Sequence, residues 1–321
     1  CYRLPARPGS KLEREYYRLA HEHRACLNRL PYNWKGIPGP GLAPDGSGRK
    51  LDFSSWERDY GPLWDGSVFA DLPRGPIPVE AFYLPLNENW PAAVEAHFLG
   101  GYWADAAFDS SYWAVLEEAV ERFAGFFAAG GWTQTIFEFY LNNKLTYKRK
   151  RDSWGGASAP WIFDEPLHTQ DFWALRQYGL ALHRGLQRWR SASGQAQAPQ
   201  MAFRVDISRP QWQRNILDGV VDVNVVGHTW RSYRERVLRR KHRFGELLYN
   251  YGSANEIADA NSYLTSWCLD VWTLGGDGVI PWQTIGRADS LARGDRHALI
   301  YPGREDGEQR PLPSIRLKAL R

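Results

Sequence analysis

Runs with strand-like and helix-like hydrophobic patterns alternate along this chain, and this alternation constrains its fold more than any other feature. It is clearest downstream, where each extended apolar run is followed by a longer run with helical spacing. The predicted strands there are Thr133–Asn142, Gln200–Ser208, Val220–Gly227, Glu246–Tyr251 and Val279–Trp282, and the predicted helices are Gln170–Arg190, Ser232–Phe244 and Asp259–Thr273. Such alternation favours a parallel sheet covered by helices.

The upstream part adds further elements of both kinds. We predict helices at Lys11–Cys26 and Ser110–Ala129, extended segments at Leu27–Asn33 and Pro78–Leu86, and a long loop at Ile37–Gly48. The whole pattern suits a (β/α)8 TIM-type barrel forming one catalytic domain over residues 1–321. We expect that barrel to be truncated at its termini, with an upstream domain and the C-terminal end missing. An open doubly wound sheet is the rival, but its usual G-x-G-x-x-G turn is absent.

Two of the predicted strands each carry a polar face. In Thr133–Asn142, the side chains of Glu138, Tyr140 and Asn142 share one face, and phenylalanines occupy the other. In Gln200–Ser208, the same alternation groups Arg204, Asp206 and Ser208. We expect Glu138 and Arg204 to lie on neighbouring inward faces. They form an internal ion pair there, or Glu138 contacts a sugar hydroxyl.

Composition narrows the classes of ligand. The chain has 16 Trp, 16 Tyr and 14 Phe, which excludes a disordered chain and suits stacking on sugar rings. Its net charge of +4 is too small to suggest nucleic acid, so the basic runs Lys148–Arg151 and Arg239–Lys241 are interpreted as solvated surface.

No apolar stretch is long enough to span a membrane, and no Cys or His cluster suggests a metal. No signal peptide is evident, so the compartment is undetermined and a secreted or periplasmic location stays open.

In a barrel of this type, the chemistry lies at the carboxyl ends of the strands. The residues expected there are aromatic, amide and carboxylate residues with few cations, which favours a sugar over a phosphate. They are Tyr32, Asn33, Asn87–Trp90, Tyr140, Asn142, Asp164, Glu165, Asp206, Arg209, His228, Trp230, Tyr249–Tyr251, Trp282 and Gln283.

The adjacent carboxylates Asp164 and Glu165 are the sharpest local feature. Like charges this close cannot both ionise freely, so we expect one pKa to rise and that group to act as a general acid. Ordinary glycosidases place their two carboxylates on different strands, whereas consecutive carboxylates suit a mechanism in which the substrate's own acetamido group attacks. The alternative is that the pair caps the helix at Gln170, with Pro166 setting the loop.

Several segments together resemble glycoside hydrolase family 123, in particular the related catalytic domains filed as domain of unknown function 4091. The segments that carry the resemblance are Phe163–Pro166, Leu248–Tyr251, Trp267–Trp282, Ile300–Gly303 and Pro313–Leu317. The resemblance implies a (β/α)8 barrel and a β-N-acetylgalactosaminidase-like, substrate-assisted, retaining hydrolysis without a cofactor. It also implies that Asp164 stabilises the acetamido group and that Glu165 is the acid/base.

One feature departs from the family pattern. The polar stretch Asn142–Pro160 separates the strong strand from the carboxylate pair. The pair therefore follows its own strand at Trp161–Phe163 or lies on a long loop.

Further residues are expected to bind the glycan substrate. The substrate-binding set is Glu138, Tyr140, Asn142, Asp206, His228, Trp230, Tyr249, Tyr251 and Trp282. Trp230, Trp272 and Trp282 could form a sugar platform, although Trp272 is expected in the core. His228 and the tyrosines can also be satisfied core residues. Two alternatives stay open: a hydrolase of a glycan without the acetamido group, using Glu138 or Asp206, and a non-catalytic carbohydrate-binding barrel.

Overall fold

The structure is a computed structural model that describes residues 4–30, 51–100, 103–143, 160–195, 199–306 and 309–320. The side chains of His228 and Thr229 lie outside this description. So do several features singled out above: Tyr32 and Asn33, the loop 37–48, most of the stretch 142–160, and the basic run 148–151.

The described part of the chain is a mixed α/β structure. Its helices are α1 (Lys11–Glu22), α2 (Ser54–Trp64), α3 (Val94–His97), α4 (Ser110–Gly130), α5 (Thr169–Ser193), α6 (Arg234–Phe244), α7 (Ser262–Thr273), α8 (Ser290–Arg293) and α9 (Ile315–Lys318). Its strands are β1 (Ala81–Tyr83), β2 (Ile136–Tyr140), β3 (Met201–Ile207), β4 (Val223–Val226), β5 (Leu247–Gly252), β6 (Gly278–Pro281), β7 (Ile300–Tyr301) and β8 (Leu312–Pro313). The strands predicted at Thr133–Asn142, Gln200–Ser208, Val220–Gly227, Glu246–Tyr251 and Val279–Trp282 are all present. The first three are shorter at both ends, and the last two are shifted by one residue.

The first six strands form one parallel sheet in the order β1-β2-β3-β4-β5-β6, which is also their order along the chain. The pairs β2–β3, β3–β4 and β5–β6 are parallel. Helix α5 connects β2 to β3 and α7 connects β5 to β6, whereas turns connect β3 to β4. This arrangement is consistent with part of an α/β barrel. The two short strands β7 and β8 pair antiparallel with each other.

Contacts divide the chain into two compact units. One consists of Cys1–Arg29, Trp56–Ala81 and Tyr249–Arg321, and the other of Leu30–Ser55 and Phe82–Leu248.

The core of the second unit lies between β2, β3 and the helices α4 and α5. Phe137 stacks on Phe127 of α4 with ring centroids 3.5 Å apart, and Phe139 meets Phe203 edge to face. Two glycines of α5 allow the close approach. A Cβ added at Gly179 would lie 2.7 Å from the Phe203 ring, and one at Gly185 would lie 2.7 Å from Val120.

Several polar contacts surround α1 in the first unit. Ser10 caps this helix, and the buried Glu13 pairs with Arg29 at 2.5 Å. The hydroxyl of Tyr16 accepts a hydrogen bond from the Gly303 N–H at 2.8 Å. The helix ends at Glu22, four residues before the predicted Cys26, because Arg24 turns into the left-handed region with φ of 54°.

Candidate functional site

The polar faces of β2 and β3 meet as the alternation predicts. The two strands pair in register with Tyr140 opposite Arg204 and Glu138 opposite Ala202. Because paired Cα atoms in a parallel sheet share a face, Glu138, Tyr140, Arg204 and Asp206 lie on the side away from α4 and α5.

Arg204 is the centre of this polar face. Its Nε and Nη2 donate to the two carboxylate oxygens of Asp206 at 2.8 and 2.9 Å. Its Nη1 donates to the Tyr83 hydroxyl at 2.5 Å and to Glu138 Oε2 at 3.1 Å. The guanidinium also lies over the Tyr140 ring, 4.4 Å from its centroid. The predicted ion pair between Glu138 and Arg204 is therefore confirmed, and Asp206 shares it.

Burial sets the electrostatics of this network. Glu138 is only 2% exposed, and this burial raises the pKa of its carboxyl while Arg204 opposes the rise. Burial acts to lower the pKa of Arg204, but the nearby Asp206, Tyr83 and Glu138 together raise it well above its usual value. The guanidinium thus stays charged and holds both carboxylates in place.

The segment Trp161–Glu165 is a loop. Of the two alternatives for the carboxylate pair, the loop is therefore the one observed, and Trp161–Phe163 is not a strand. The N–H groups of Phe163 and Asp164 both donate to the carbonyl of Asn143, at 3.0 and 3.1 Å. The Asn143 side chain donates in return to the carbonyl of Trp161 at 3.1 Å. These contacts attach the loop to the residues that follow β2.

Both members of the carboxylate pair are half-buried, and they face different partners. Asp164 lies close enough to Tyr140 to act on it: burial raises the pKa of the Tyr140 hydroxyl well above its usual value, and Asp164 and Asp206 raise it further. Glu165 donates its backbone N–H to the carbonyl of Asp206 at 3.0 Å. Its Oε1 accepts a hydrogen bond from the Ser208 hydroxyl.

Glu165 also has an unusual backbone conformation. Its φ is 55°, in the left-handed region that costs a non-glycine residue about 1–3 kcal/mol. Residues held in this way cluster at functional sites, because the surrounding contacts must maintain the strain.

The alternative in which the pair caps α5 is wrong. That role belongs to Asp171, whose carboxylate accepts from the N–H groups of His168 at 2.7 Å and Leu167 at 3.0 Å. Its other oxygen accepts from the Ile162 N–H at 3.1 Å.

The remaining predicted site residues have different environments. Asn142 is buried just beyond β2, and Trp230 is 3% exposed, which leaves little of its indole face open. Tyr249, Tyr251 and Trp282 belong to the other unit, where the rings of Tyr251 and Trp282 meet edge to face at 6.2 Å. The prediction of Trp272 in the core is wrong, since that side chain is 74% exposed.

Tyr83 and Ser208 also belong to this site, although neither was among the predicted site residues. The alternation in β3 already groups Ser208 with Arg204 and Asp206, so that signal could have identified it. Nothing in the sequence around Tyr83 pairs it with Arg204, because the contact joins residues 121 positions apart.

No protein-family model matches the chain, and no curated protein matches it in sequence. The resemblance to glycoside hydrolase family 123 therefore stays a prediction. Among the described residues, no group of three or more His, Cys, Asp or Glu side chains could hold a metal ion. None of the described helices is long and apolar enough to cross a membrane.

Proposed function

We propose that the protein is a retaining glycoside hydrolase that cleaves a β-linked 2-acetamido sugar, such as N-acetylgalactosamine, by substrate-assisted catalysis. The observation that carries the proposal is the placement of Asp164 and Glu165. The two half-buried carboxylates lie on a loop that is hydrogen-bonded to Asn143, three residues after the end of β2, and to Asp206 near the end of β3. Carboxyl ends of parallel strands are where α/β barrels carry their chemistry.

The sheet supports a barrel as the fold behind this site. Six strands in chain order are the arrangement expected for most of a (β/α)8 barrel, and the polar face of β2 and β3 would then face its interior. The closed eight-stranded barrel is part of the proposal.

In the proposed first step, Glu165 is the general acid and gives its proton to the glycosidic oxygen. The bond from that oxygen to the anomeric carbon breaks, and the leaving group departs as an alcohol. The acetamido oxygen of the same sugar forms a bond to the anomeric carbon, giving a positively charged oxazolinium ring. The carboxylate of Asp164 stabilises this charge and orients the acetamido N–H.

In the second step, Glu165 is the general base. Its carboxylate takes a proton from a water molecule, and the water oxygen bonds to the anomeric carbon as the ring opens. The acetamido group is restored, the sugar leaves with its original anomeric configuration, and Glu165 is again protonated. No cofactor takes part in either step.

A hydrolase of a glycan without the acetamido group is less well supported. Such an enzyme needs a second carboxylate, and the available ones are Glu138 and Asp206. Both are bound to Arg204, and Glu138 is almost completely buried. Their charge is therefore already compensated by the protein.

The test is hydrolysis of aryl β-glycosides of N-acetylgalactosamine, N-acetylglucosamine and galactose. We expect cleavage of at least one acetamido sugar and a loss of about 10²- to 10⁴-fold in kcat for Glu165→Gln and Asp164→Asn. A matched control is Asp171→Asn, which alters a carboxylate that caps α5 and should affect stability more than chemistry.

The other outcomes are equally informative. Cleavage of the galactoside alone would overturn the role of Asp164 and direct attention to Glu138 or Asp206. Glycan binding by folded protein with no turnover of any substrate would instead indicate a non-catalytic carbohydrate-binding barrel.

A further inference from the structure

The first residue after β3 contacts the proposed acid/base directly. Ser208 follows Ile207, the last residue of β3, and its hydroxyl donates a hydrogen bond to Glu165 Oε1. The Glu165 N–H donates to the carbonyl of Asp206, two residues earlier on the same strand. One strand end therefore contacts both the backbone and the carboxylate of Glu165.

Ser208 is itself confined by the end of β4. The Gly227 N–H donates to the carbonyl of Ile207 at 3.3 Å, which brings the two strand ends together. A Cβ added at Gly227 would lie 3.3 Å from the Ser208 Cα and 3.5 Å from its Oγ. Glycine at 227 thus leaves the space in which the Ser208 hydroxyl reaches Glu165.

We infer that Ser208 is a positioning residue that determines which oxygen of Glu165 carries the catalytic proton. The inference rests on the proposed acid/base role of Glu165. The hydroxyl donates to Oε1, and protonation of Glu165 on Oε2 is the arrangement that keeps this hydrogen bond. The proton given to the leaving group, and later taken from water, is therefore on Oε2.

The contact has a measurable electrostatic consequence. A hydrogen bond donated to a carboxylate favours the charged form, so its removal raises the pKa of the carboxyl. From the usual strength of hydrogen bonds to charged groups, Ser208→Ala should therefore raise the pKa of Glu165 by about one to two units.

The experiment measures this pKa by NMR in the full chain labelled with ¹³C at the Glu carboxyl carbons, with Glu165→Gln used to assign the resonance. Four variants are compared with the wild type. Ser208→Ala removes the hydroxyl, Ser208→Thr keeps it, and Gly227→Ala crowds the Ser208 backbone that carries it. Ser191→Ala, on the exposed surface of α5, is the matched control.

We expect the full shift in Ser208→Ala, a partial shift in Gly227→Ala, and values within a few tenths of a unit of wild type in the other two. On a substrate that is cleaved, the alkaline limb of the kcat/KM profile should move upward with the NMR shift. An unchanged Glu165 titration in folded Ser208→Ala would overturn the inference.

The NMR result also separates this inference from the proposed function. If the wild type cleaves none of the three glycosides while Ser208→Ala still raises the Glu165 pKa, the hydrolase proposal fails and the contact stands. If the wild type is active and the profile of Ser208→Ala is unmoved, the positioning role fails alone.

Discussion

The backbone N–H of Glu165 donates to the carbonyl oxygen of Asp206 at 3.0 Å, which joins the carboxylate-bearing loop to β3. The carboxylate of Asp206 accepts hydrogen bonds from Nε and Nη2 of the Arg204 guanidinium. The loop is therefore attached to a residue whose own position is fixed by the buried network. Sites supported in this way keep the geometry that catalysis requires.

The first prediction concerns Arg204. Replacement by Met leaves Glu138 and Asp206 without their cation, and breaking a buried ion pair in this way costs about 3–5 kcal/mol. We expect Arg204→Met to lower the free energy of unfolding by about this amount in a denaturant titration.

The matched control is Arg188→Met. Arg188 is about half exposed and pairs with Glu117 at 3.1 Å on the surface, where such pairs contribute about 1 kcal/mol or less. Equal losses in the two variants would contradict a structural role for the buried network.

The second prediction concerns two glycines within helices. A Cβ at Gly179 of α5 would lie 2.7 Å from Phe203 and 2.9 Å from the carbonyl of Val220, so Gly179→Ala should cost about 1–3 kcal/mol of stability through overpacking. At Gly125 of α4 the nearest atom is the Trp189 Nε1 at 3.6 Å. Gly125→Ala should therefore stabilise the protein by up to about 1 kcal/mol through helix propensity. Denaturant titrations of both variants check this, and stabilisation by Gly179→Ala would show that α5 does not approach the sheet this closely.

The third prediction concerns pH. His21 of α1 is buried and stacks on Phe69 with ring centroids 4.1 Å apart. Burial, and secondly the charge of Arg74, lower the pKa of its imidazole below the usual 6.5. The unfolded chain then binds a proton more readily than the folded one, so the free energy of unfolding should fall as pH falls below about 6.5.

His21→Leu removes this titration. Unfolding midpoints measured from pH 7.5 down to 5 should show a shallower decline in the variant than in the wild type. A difference between the unfolding midpoints at pH 7.5 reports the change in packing, and a difference between the slopes reports the loss of the His21 titration. Identical slopes would mean that His21 is not protonated preferentially in the unfolded state.

The strand pattern could be read from the sequence because it is local. Period-two alternation placed Glu138 and Tyr140 on one face of β2 and the phenylalanines on the other, and the ion pair with Arg204 followed from it. The position of the carboxylate loop could not be read in this way. It depends on the carbonyls of Asn143 and Asp206, which lie far along the chain from the N–H groups that they bind.

Two errors have simple physical origins. The end of α1 could not be located from the sequence because no glycine marks it. Arg24 takes the left-handed conformation that a glycine usually adopts after a helix. Trp272 was expected in the core, but the buried face of α7 is the one that carries Leu264 and Val271. A residue directly after Val271 is rotated by about 100° around the helix, and Trp272 is consequently exposed.

The central claim is that the acetamido oxygen of the substrate is the nucleophile, assisted by Asp164 and Glu165. The most direct measurement is the rate of hydrolysis of aryl 2-acetamido glycosides whose acetyl group carries zero, one, two or three fluorines. Fluorine withdraws electrons from the carbonyl oxygen and weakens its attack. The account predicts that kcat/KM falls steeply with each added fluorine, and a rate independent of fluorination would contradict it.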